Sequence, residues 1–377
     1  MILHLLIYSE GTERQFARYV INQFSSPDCC SEFAIMTSLV VSESFPKESS
    51  VKVVDPGNEE AMAGFLGSLD SYSAVILHGL FEPWCETVLR HVPPHVKVAW
   101  AFWGGEIYGR SDLSKAFLSK RSKRLLRLRQ LKLRLKNKKQ EKHFELPVEL
   151  FKRIDYCLTD IHEDYEFVKS YCGFEAKELW YNYYSIEETL GDLRDKTVDG
   201  NNILIGNSST LECNHLDGFD AARKIGGHGS RVIVPLSYGE SWLRVSLLRI
   251  GKCMFGERFH PLVDFMPREE YNKIISSCAV VIMPHYRPQA FGNLLTALWL
   301  GAKVVMSEKS LLYAFFRRIG IIVFSIETDL KKANHFEPVP LSDEERQANR
   351  TLIASLYNKE VMACRNKELV EVLERNL

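Results

Sequence analysis

The sequence predicts two doubly wound α/β domains. Short apolar runs alternate with helix-length amphipathic stretches, once over residues 3–102 and again over residues 202–306. Such alternation is typical of a parallel sheet covered by helices. The polar stretch 191–201 separates the two series, and 377 residues suit two domains. We expect three parts: an N-terminal Rossmann-like domain over 1–195, a C-terminal Rossmann-like domain over 200–340, and a helical segment over 341–377 packing across both.

Each predicted strand is an apolar run that ends in a polar or glycine-containing turn. In the first domain we expect a helix at 13–24 and strands at 3–8, 33–40, 51–54, 74–78 and 96–102. In the second domain we expect helices at 215–225, 241–250 and 290–300 and strands at 203–205, 231–236, 279–283 and 303–306. A last helical pattern runs from Asp343 to the C-terminus.

The composition is that of an ordinary globular protein, with 46% hydrophobic and 25% charged residues. The 48 bases balance the 48 acids, so the net charge indicates no general preference for polyanions. Nine cysteines without paired spacing predict reduced thiols in a cytosolic protein rather than a disulfide framework or a zinc site. We expect neither a signal peptide nor a membrane span, because no apolar run approaches about 18 residues.

One segment, residues 120–142, is strongly basic, with 12 Lys or Arg and a single acid, Glu141. Four leucines in it recur at spacings of three and four residues, namely Leu125, Leu128, Leu131 and Leu135. We predict a basic amphipathic helix that contacts an anionic membrane surface. The alternative is a solvated helix whose leucines pack on its own domain. Nucleic acid is not expected as a partner, because the segment lacks aromatic residues and the chain shows no nucleic-acid motif.

Three polar loops follow strands of the second domain, where open α/β sheets bind ligands. Their candidate binding residues are Gly206, Asn207, Ser208, Ser209, Tyr238, His285, Arg287, Gln289, Phe291, Gly292 and Asn293. Arg287 and His285 can neutralise a diphosphate, and the helix N-termini that follow add partial positive charge. For the first loop, simple helix capping is an open alternative. Glu308 is placed to bind ribose or donor hydroxyls, although a surface turn explains it equally well.

A second candidate site follows the strand at 96–102 in the first domain. Glu106 comes after two glycines at a strand end and is a candidate base for a hydroxyl proton. Trp103 and Tyr108, with His78 from the preceding strand, are candidates for holding a sugar on the acceptor side. The alternative is that the aromatic residues form core and Glu106 lies in a surface turn.

Several of these segments resemble a known bacterial family. They are 203–209, 232–239, 265–267 with Met266 and Pro267, 281–293, 297–303 and the run from Trp103 to Tyr108. Together they resemble glycosyltransferase family 56, the transferases of 4-acetamido-4,6-dideoxygalactose (Fuc4NAc). The resemblance implies a GT-B type enzyme, in which two Rossmann-like domains face a cleft.

The resemblance also implies an activity and a location. The enzyme would move Fuc4NAc from a dTDP-linked donor to a polyprenyl-diphosphate-linked oligosaccharide, as in the synthesis of enterobacterial common antigen. It would act at the cytoplasmic face of the bacterial inner membrane as a peripheral protein. Met266 and Pro267 would join the donor-binding residues, and Glu106 and Arg287 would be catalytic.

No metal or other cofactor is expected, because the sequence contains no DxD motif. The two acidic positions of the signature shared by many retaining GT-B enzymes hold Gln289 and Ala297 here. Glu106 is a candidate base if the reaction inverts and a positioning residue if it retains. A transferase of another deoxy-amino sugar for capsule or O-antigen, a GT-B-fold nucleotide-sugar epimerase and a non-catalytic membrane-bound scaffold stay open as alternatives.

Overall fold

The computed structural model describes residues 1–8, 12–25, 30–41, 50–113, 115–135, 144–226, 229–332 and 336–375. The chain divides into two compact units. The first comprises Met1–Arg110, Lys142–Ser185 and Lys359–Leu377, and the second comprises Ser111–Glu141 and Ile186–Asn358. Each unit is built on a parallel sheet, which confirms the prediction of two α/β domains.

The secondary structure alternates along both units. The strands are β1 (Ile2–Ile7), β2 (Ser31–Met36), β3 (Ser50–Val54), β4 (Ala74–His78), β5 (Lys97–Ala101), β6 (Tyr156–Leu158), β7 (Lys177–Leu179), β8 (Asn202–Ile205), β9 (Val232–Pro235), β10 (Phe259–Leu262), β11 (Cys278–Met283), β12 (Lys303–Met306) and β13 (Phe324–Ser325). The helices are α1 (Thr12–Phe24), α2 (Glu59–Ser68), α3 (Pro83–His91), α4 (Gly105–Tyr108), α5 (Lys120–Leu135), α6 (His162–Cys172), α7 (Ile186–Leu190), α8 (His215–Ala222), α9 (Ser241–Phe255), α10 (Arg268–Ser276), α11 (Phe291–Leu300), α12 (Leu311–Arg318), α13 (Asp329–Lys332), α14 (Asp343–Tyr357) and α15 (Lys359–Glu374).

Both sheets reverse their strand order near the middle. The first sheet has the order β3-β2-β1-β4-β5-β6-β7, and the second has the order β10-β9-β8-β11-β12-β13. All residues of β1, β4, β5 and β11 are buried, as expected where helices cover both faces of a parallel sheet. The order reverses between β8 and β11 in the second unit, and such a switch point is where ligands bind in open α/β sheets.

Four strands were not predicted from the sequence, namely β6, β7, β10 and β13. They contain three, three, four and two residues, too few for a periodic pattern. Three of them, β7, β10 and β13, lie at a sheet edge, and β10 also contains Pro261, which is tolerated at an edge. Their place is decided by pairing with a neighbouring strand rather than by local sequence.

The basic helix α5 belongs to the second unit, so its predicted place in the N-terminal domain is wrong. Leu125 packs against the core of the second unit, Arg121 forms an ion pair with Asp220 of α8, and the Arg129 guanidinium lies 5.5 Å from the centre of the Trp242 ring. These contacts attach the inner face of α5 to α8 and α9.

The predicted leucine stripe of α5 divides between two faces. Leu125 faces the core, whereas Leu128 and Leu131 are 51% and 56% exposed. The predicted part of the helix beyond Leu135, like the Leu135 side chain, lies outside the described residues. Among the helices of the described ranges, none has the length and apolar character needed to cross a membrane.

The C-terminal pattern forms two helices that belong to different units. Helix α14 begins at a capping box between Ser342 and Glu345 and belongs to the second unit. Asn358 then takes an extended conformation, and α15 belongs to the first unit. The buried Lys97 ammonium holds the end of α15 by donating to the carbonyls of Val372 at 3.0 Å and Leu373 at 3.2 Å, where a cation is favoured.

Candidate functional site

The loops after β8 and β9 are joined to each other in the second unit. Ser209 N donates to Tyr238 O and Glu240 N donates to Ser209 O, each over 2.8 Å. The Asn207 side-chain amide also donates to the Tyr238 hydroxyl over 3.0 Å. Gly239 has a φ of +104°, and a Cβ there would lie 2.7 Å from Ser209 O. Only glycine fits this close approach, so the glycine is a requirement of the loop junction.

Cys213 connects this pair of loops to the loop after β11. Its thiol donates to Asn207 Oδ1 over 3.2 Å, and Ser208 Oγ lies 3.5 Å from the sulfur. The Gln289 amide donates to the same sulfur over 3.5 Å. Four residues of the predicted donor site, Asn207, Ser208, Tyr238 and Gln289, are therefore brought together. Cys213, the residue between them, was not predicted, because a single cysteine in a short turn carries no motif.

The Cys213 thiol is buried among groups that stabilise its thiolate. Burial alone raises the pKa of Cys213, but His215 and the hydrogen bonds of Ser208, Thr210 and Asn207 outweigh this effect and lower the pKa below its ordinary value. His215 packs against Gly206. A Cβ added to Gly206 would lie 3.0 Å from the His215 imidazole Nε2. Gly206, with a φ of +68°, is thus needed both for the turn and for the space above His215.

His285 does not present the positive charge that was expected from the sequence. It is completely buried, and burial, followed by the nearby Arg287 charge, lowers the pKa of His285 to about 3. Burial also lowers the pKa of His215. Within the described residues, neither ring nitrogen of His285 has a hydrogen-bond partner. At neutral pH the positive charge of the loop 284–293 therefore belongs to Arg287.

Arg287 acts electrostatically on the joined loops. Burial raises the pKa of the Tyr238 phenol, and the charge of Arg287 opposes this rise. The helix α11 begins immediately afterwards, with Ala290 in the left-handed conformation at φ +58°. The N–H groups of its first turn, at Phe291, Gly292 and Asn293, are suited to an anionic group. The Phe291 ring itself stacks on Phe316 at 6.1 Å.

Helix α10 adds residues to this region that were not selected from the sequence. The buried Tyr271 hydroxyl has no hydrogen-bond partner in the described ranges, and burial raises the pKa of this phenol, with Tyr238 contributing. Phe265 is 88% exposed just before α10. Met266 is partly buried and Pro267 is the exposed N-cap of α10. Phe265 directly precedes Met266 and Pro267, and this adjacency is a signal that the sequence could have supplied.

Glu308 is engaged locally at the turn after β12. Its carboxylate accepts hydrogen bonds from the hydroxyls of Ser325, over 2.5 Å, and Thr328. These bonds lower the pKa of Glu308. This geometry matches the surface-turn alternative for Glu308.

In the first unit, Glu106 is buried beneath the end of β5. Its Oε1 accepts hydrogen bonds from Trp100 Nε1 and from the backbone N–H of Trp103, each over 3.1 Å. The Oε2 atom has no partner among the described residues. Burial raises the pKa of Glu106 to about 7, against the opposing effect of these hydrogen bonds. A carboxyl group with a pKa near neutrality can both hold and release a proton at physiological pH.

The three acceptor-side candidates differ in exposure. Tyr108 is fully buried and donates to Asp164. His78 is also buried and shares hydrogen bonds with His4 Nδ1 at 3.1 Å and the Tyr183 hydroxyl at 3.2 Å. Trp103 is only partly buried, and its indole N–H donates to the same Tyr183 hydroxyl. Of the three, Trp103 is the side chain that reaches the surface. The role of Trp103, His78 and Tyr108 in binding an acceptor stays a prediction.

No group of three or more His, Cys, Asp or Glu side chains in the described part of the chain is arranged to hold a metal ion. The expectation that the protein needs no metal came from the absence of a DxD motif in the sequence, and it stays a prediction.

The structure is similar to several solved structures. One is sucrose-phosphate synthase from Thermosynechococcus elongatus, with a TM-score of 0.59, 11% identity and coverage of 99% of each chain. Another is HepE from Anabaena in complex with UDP and glucose, with a TM-score of 0.58, 12% identity and coverage of 99% of this chain and 98% of HepE. A third is a glycosyltransferase from Rickettsia africae, with a TM-score of 0.61, 10% identity and coverage of 100% of this chain and 99% of the other.

No protein-family model and no curated protein matches this sequence. At 10–12% identity, the similarity to the three structures concerns the fold. The two parallel sheets, of seven and six strands, agree with that similarity over nearly the whole length of the chain. The chain therefore has the GT-B fold.

Proposed function

We propose that this chain is a glycosyltransferase that binds a nucleoside-diphosphate sugar in its second unit. The observation that carries the proposal is the convergence of Asn207, Tyr238, Cys213, Gln289 and Arg287 at the switch point of the second sheet. A polar cluster with one cation and an adjacent helix N-terminus fits a diphosphate joined to a sugar. HepE, which shares the fold, was solved with UDP and glucose, and this supports the same class of donor here.

Each part of the donor has a suitable group in this region. Arg287 and the first N–H groups of α11 would take the diphosphate, whose negative charge increases as the sugar leaves. The Asn207 and Gln289 amides would hydrogen-bond the sugar hydroxyls. Phe265, which is 88% exposed, would stack on the nucleobase, with Met266 and Pro267 beside it. His285 would act from beneath the loops, as a neutral imidazole rather than as a cation.

For the donor and acceptor we propose the pair that the sequence resemblance implies. The donor would be dTDP-Fuc4NAc, and the acceptor would be a polyprenyl-diphosphate-linked oligosaccharide. Glu106, with a pKa of about 7, would accept the proton of the attacking hydroxyl if the reaction inverts the anomeric centre. If the reaction retains it, Glu106 would position the acceptor.

The outer face of α5 is the proposed contact with an anionic membrane. Leu128 and Leu131 are more than half exposed, and Arg124 and Arg127 on the same side are exposed as well. Leucine side chains that enter the interface and cations that attract anionic lipids act together in such helices. This contact would hold the protein at the cytoplasmic face of the bacterial inner membrane, beside a lipid-linked acceptor.

The experiment that tests the proposed activity is a transfer assay with the full-length protein. dTDP-, UDP- and GDP-linked sugars are each offered with a short-chain lipid-diphosphate disaccharide, and release of the nucleoside diphosphate is measured with and without the acceptor. We expect acceptor-dependent release with dTDP-Fuc4NAc. Release with another nucleotide sugar would show that the donor is not dTDP-Fuc4NAc. An isomerised donor sugar would indicate an epimerase. No turnover with any donor would favour the non-catalytic scaffold.

A further inference from the structure

A polar cavity lies in the second unit, beside the β11–α11 loop that was assigned to the donor. Its volume is about 570 Å³, within the range of about 300–1,000 Å³ that is usual for small-molecule sites. It is formed at the carboxyl ends of β11, β12 and β13 together with α8 and the start of α5. The lining side chains that bear on its chemistry are Asp217, Arg223, Lys224, Tyr286, Glu327 and Lys331.

The cavity and the donor loops share one short segment. Tyr286 lines the cavity, whereas the charge of the next residue, Arg287, acts on Tyr238 in the donor cluster. Two successive residues of the β11–α11 loop therefore serve two neighbouring sites.

The acidic side of the cavity offers hydrogen-bond acceptors. Asp217 Oδ2 is buried and has no hydrogen-bond partner among the described residues. Glu327 lies nearby, with its two oxygens held by the Ser307 hydroxyl at 2.6 Å and the Glu308 N–H at 2.9 Å. Burial raises the pKa of Tyr286 to about 12, and Asp217 and Glu327 contribute, so the phenol remains a neutral donor beside the two carboxylates.

The basic side of the cavity offers cations. Arg121 is paired with Asp220, which leaves Arg223, Lys224 and Lys331. None of these three forms an ion pair within the described ranges. An inorganic anion would pair with the three cations but would give Asp217 no hydrogen-bond donor. A neutral sugar would satisfy Asp217 but would make no use of the cations, so a ligand with hydroxyls and an anionic group fits the lining best.

We propose that this cavity binds a sugar phosphate. The sugar hydroxyls donate to Asp217, and the phosphate oxygens accept from Lys224, Lys331 and Arg223. The role of the site rests on the proposed function, since a sugar phosphate beside the donor loops would be the acceptor or the phosphate-bearing end of it. Binding itself needs no turnover and is therefore measurable even if the transfer proposal fails.

The test is calorimetric titration of the full-length protein with N-acetylglucosamine 1-phosphate, with N-acetylglucosamine and inorganic phosphate as reference ligands. We expect the sugar phosphate to bind at least tenfold more tightly than either reference. The double variant Lys224→Ala/Lys331→Ala should weaken this binding at least tenfold, and Asp217→Asn should remove the preference over inorganic phosphate. Lys252→Ala, an exposed lysine of α9, is the matched control and should bind normally.

Two results would overturn the proposal: inorganic phosphate binding as tightly as the sugar phosphate, or wild-type affinity in the double lysine variant. A second titration with farnesyl-diphosphate-linked N-acetylglucosamine identifies the source of the ligand. Tighter binding than the free sugar phosphate would indicate a lipid-linked ligand, and equal or weaker binding would indicate a soluble one. Arg287→Ala separates the two sites, because it should weaken nucleotide binding and leave binding of the sugar phosphate unchanged.

Discussion

The amide of Asn207 donates to the hydroxyl of Tyr238 across 3.0 Å, and this hydrogen bond joins the loops that follow the two adjacent strands β8 and β9. Both side chains are accessible from solvent, and Tyr238 is 55% exposed. The bond therefore adds little to stability but fixes the orientation of two groups at the proposed donor site.

Tyr238→Phe should reduce the affinity for a nucleoside diphosphate while the protein remains as stable as the wild type. Loss of one hydrogen bond to a polar ligand costs about 0.5–1.5 kcal/mol, which corresponds to a loss of roughly two- to tenfold in Kd. Titration calorimetry with dTDP measures the affinity. Tyr313→Phe, on α12, is the matched control. An equal loss in both variants would show that Tyr238 has no special part in binding.

Glu106→Gln should abolish most of the turnover and remove the pH dependence near neutrality. Gln keeps an acceptor for the Trp100 and Trp103 N–H groups but cannot accept a proton. General base catalysis contributes about 10²–10⁴-fold, so a loss of that size is expected. The pH–rate profile of the wild type should rise through the pKa of about 7. An unchanged profile in the variant would assign Glu106 to folding alone.

The stability of the Glu106→Gln variant at different pH values tests whether burial raises the pKa of Glu106. Because burial raises the pKa of Glu106 in the folded state from 4.5 to about 7, the contribution of Glu106 to stability is lost as the pH rises through this window. A tenfold change in a protonation equilibrium corresponds to about 1.4 kcal/mol, so Glu106→Gln should gain about 3 kcal/mol relative to the wild type between pH 4.5 and pH 7. Denaturant unfolding at several pH values measures this difference in the free energy of unfolding. A constant difference would contradict a raised pKa.

The buried histidines should make the protein less stable at acidic pH. Burial lowers the pKa of His4 from 6.5 to about 3, so the unfolded chain binds a proton below pH 6.5 that the folded chain does not. Each such histidine should therefore lower the free energy of unfolding by about 1.4 kcal/mol per pH unit as the pH falls below 6.5, a contribution opposite in sign to that of Glu106. His4→Gln should reduce the slope, while the exposed His91→Gln should not. Equal slopes in all three proteins would be inconsistent with a neutral buried His4.

The outer face of α5 should determine binding to anionic vesicles. Leu128→Ser/Leu131→Ser removes apolar area, and Arg124→Ser/Arg127→Ser removes about 1 kcal/mol of attraction per charge. Each pair should weaken co-sedimentation with phosphatidylglycerol vesicles about tenfold or more, and salt should weaken binding of the wild type. Val339→Ser, an exposed residue of the same unit, is the control. Unchanged vesicle binding in both double variants would indicate that α5 serves only to pack against the second unit.

Part of each sheet was predicted well from the sequence. Strands β4 and β12 were expected at the residues where they occur, because both are mainly apolar runs with clear ends. The short strands β6, β7, β10 and β13 were missed, since pairing with a neighbour determines them. Helix α5 was assigned to the wrong unit because it precedes the predicted linker at 191–201. Its contact with the second unit, where Arg129 meets Trp242, is not visible in the sequence.

The candidate site was predicted in part. Position at strand ends was sufficient to select Asn207, Tyr238 and Gln289, which the structure brings together. Their common neighbour Cys213 was not selected. His285 was expected to be positively charged, but burial lowers the pKa of His285 and keeps the imidazole neutral. Burial and long-range contacts are properties of the folded chain, so a sequence pattern could locate the loops but not the protonation states within them.

The central claim is that a nucleoside diphosphate binds to the second unit through Arg287. The most direct measurement is the thermal shift of wild type and Arg287→Ala with dTDP, UDP and GDP, because a ligand that binds only the folded protein raises its melting temperature. We predict a rise with at least one nucleotide, dTDP first, that is lost in Arg287→Ala while the unliganded melting temperatures agree. No rise with any nucleotide, or the same rise in both proteins, would contradict the claim.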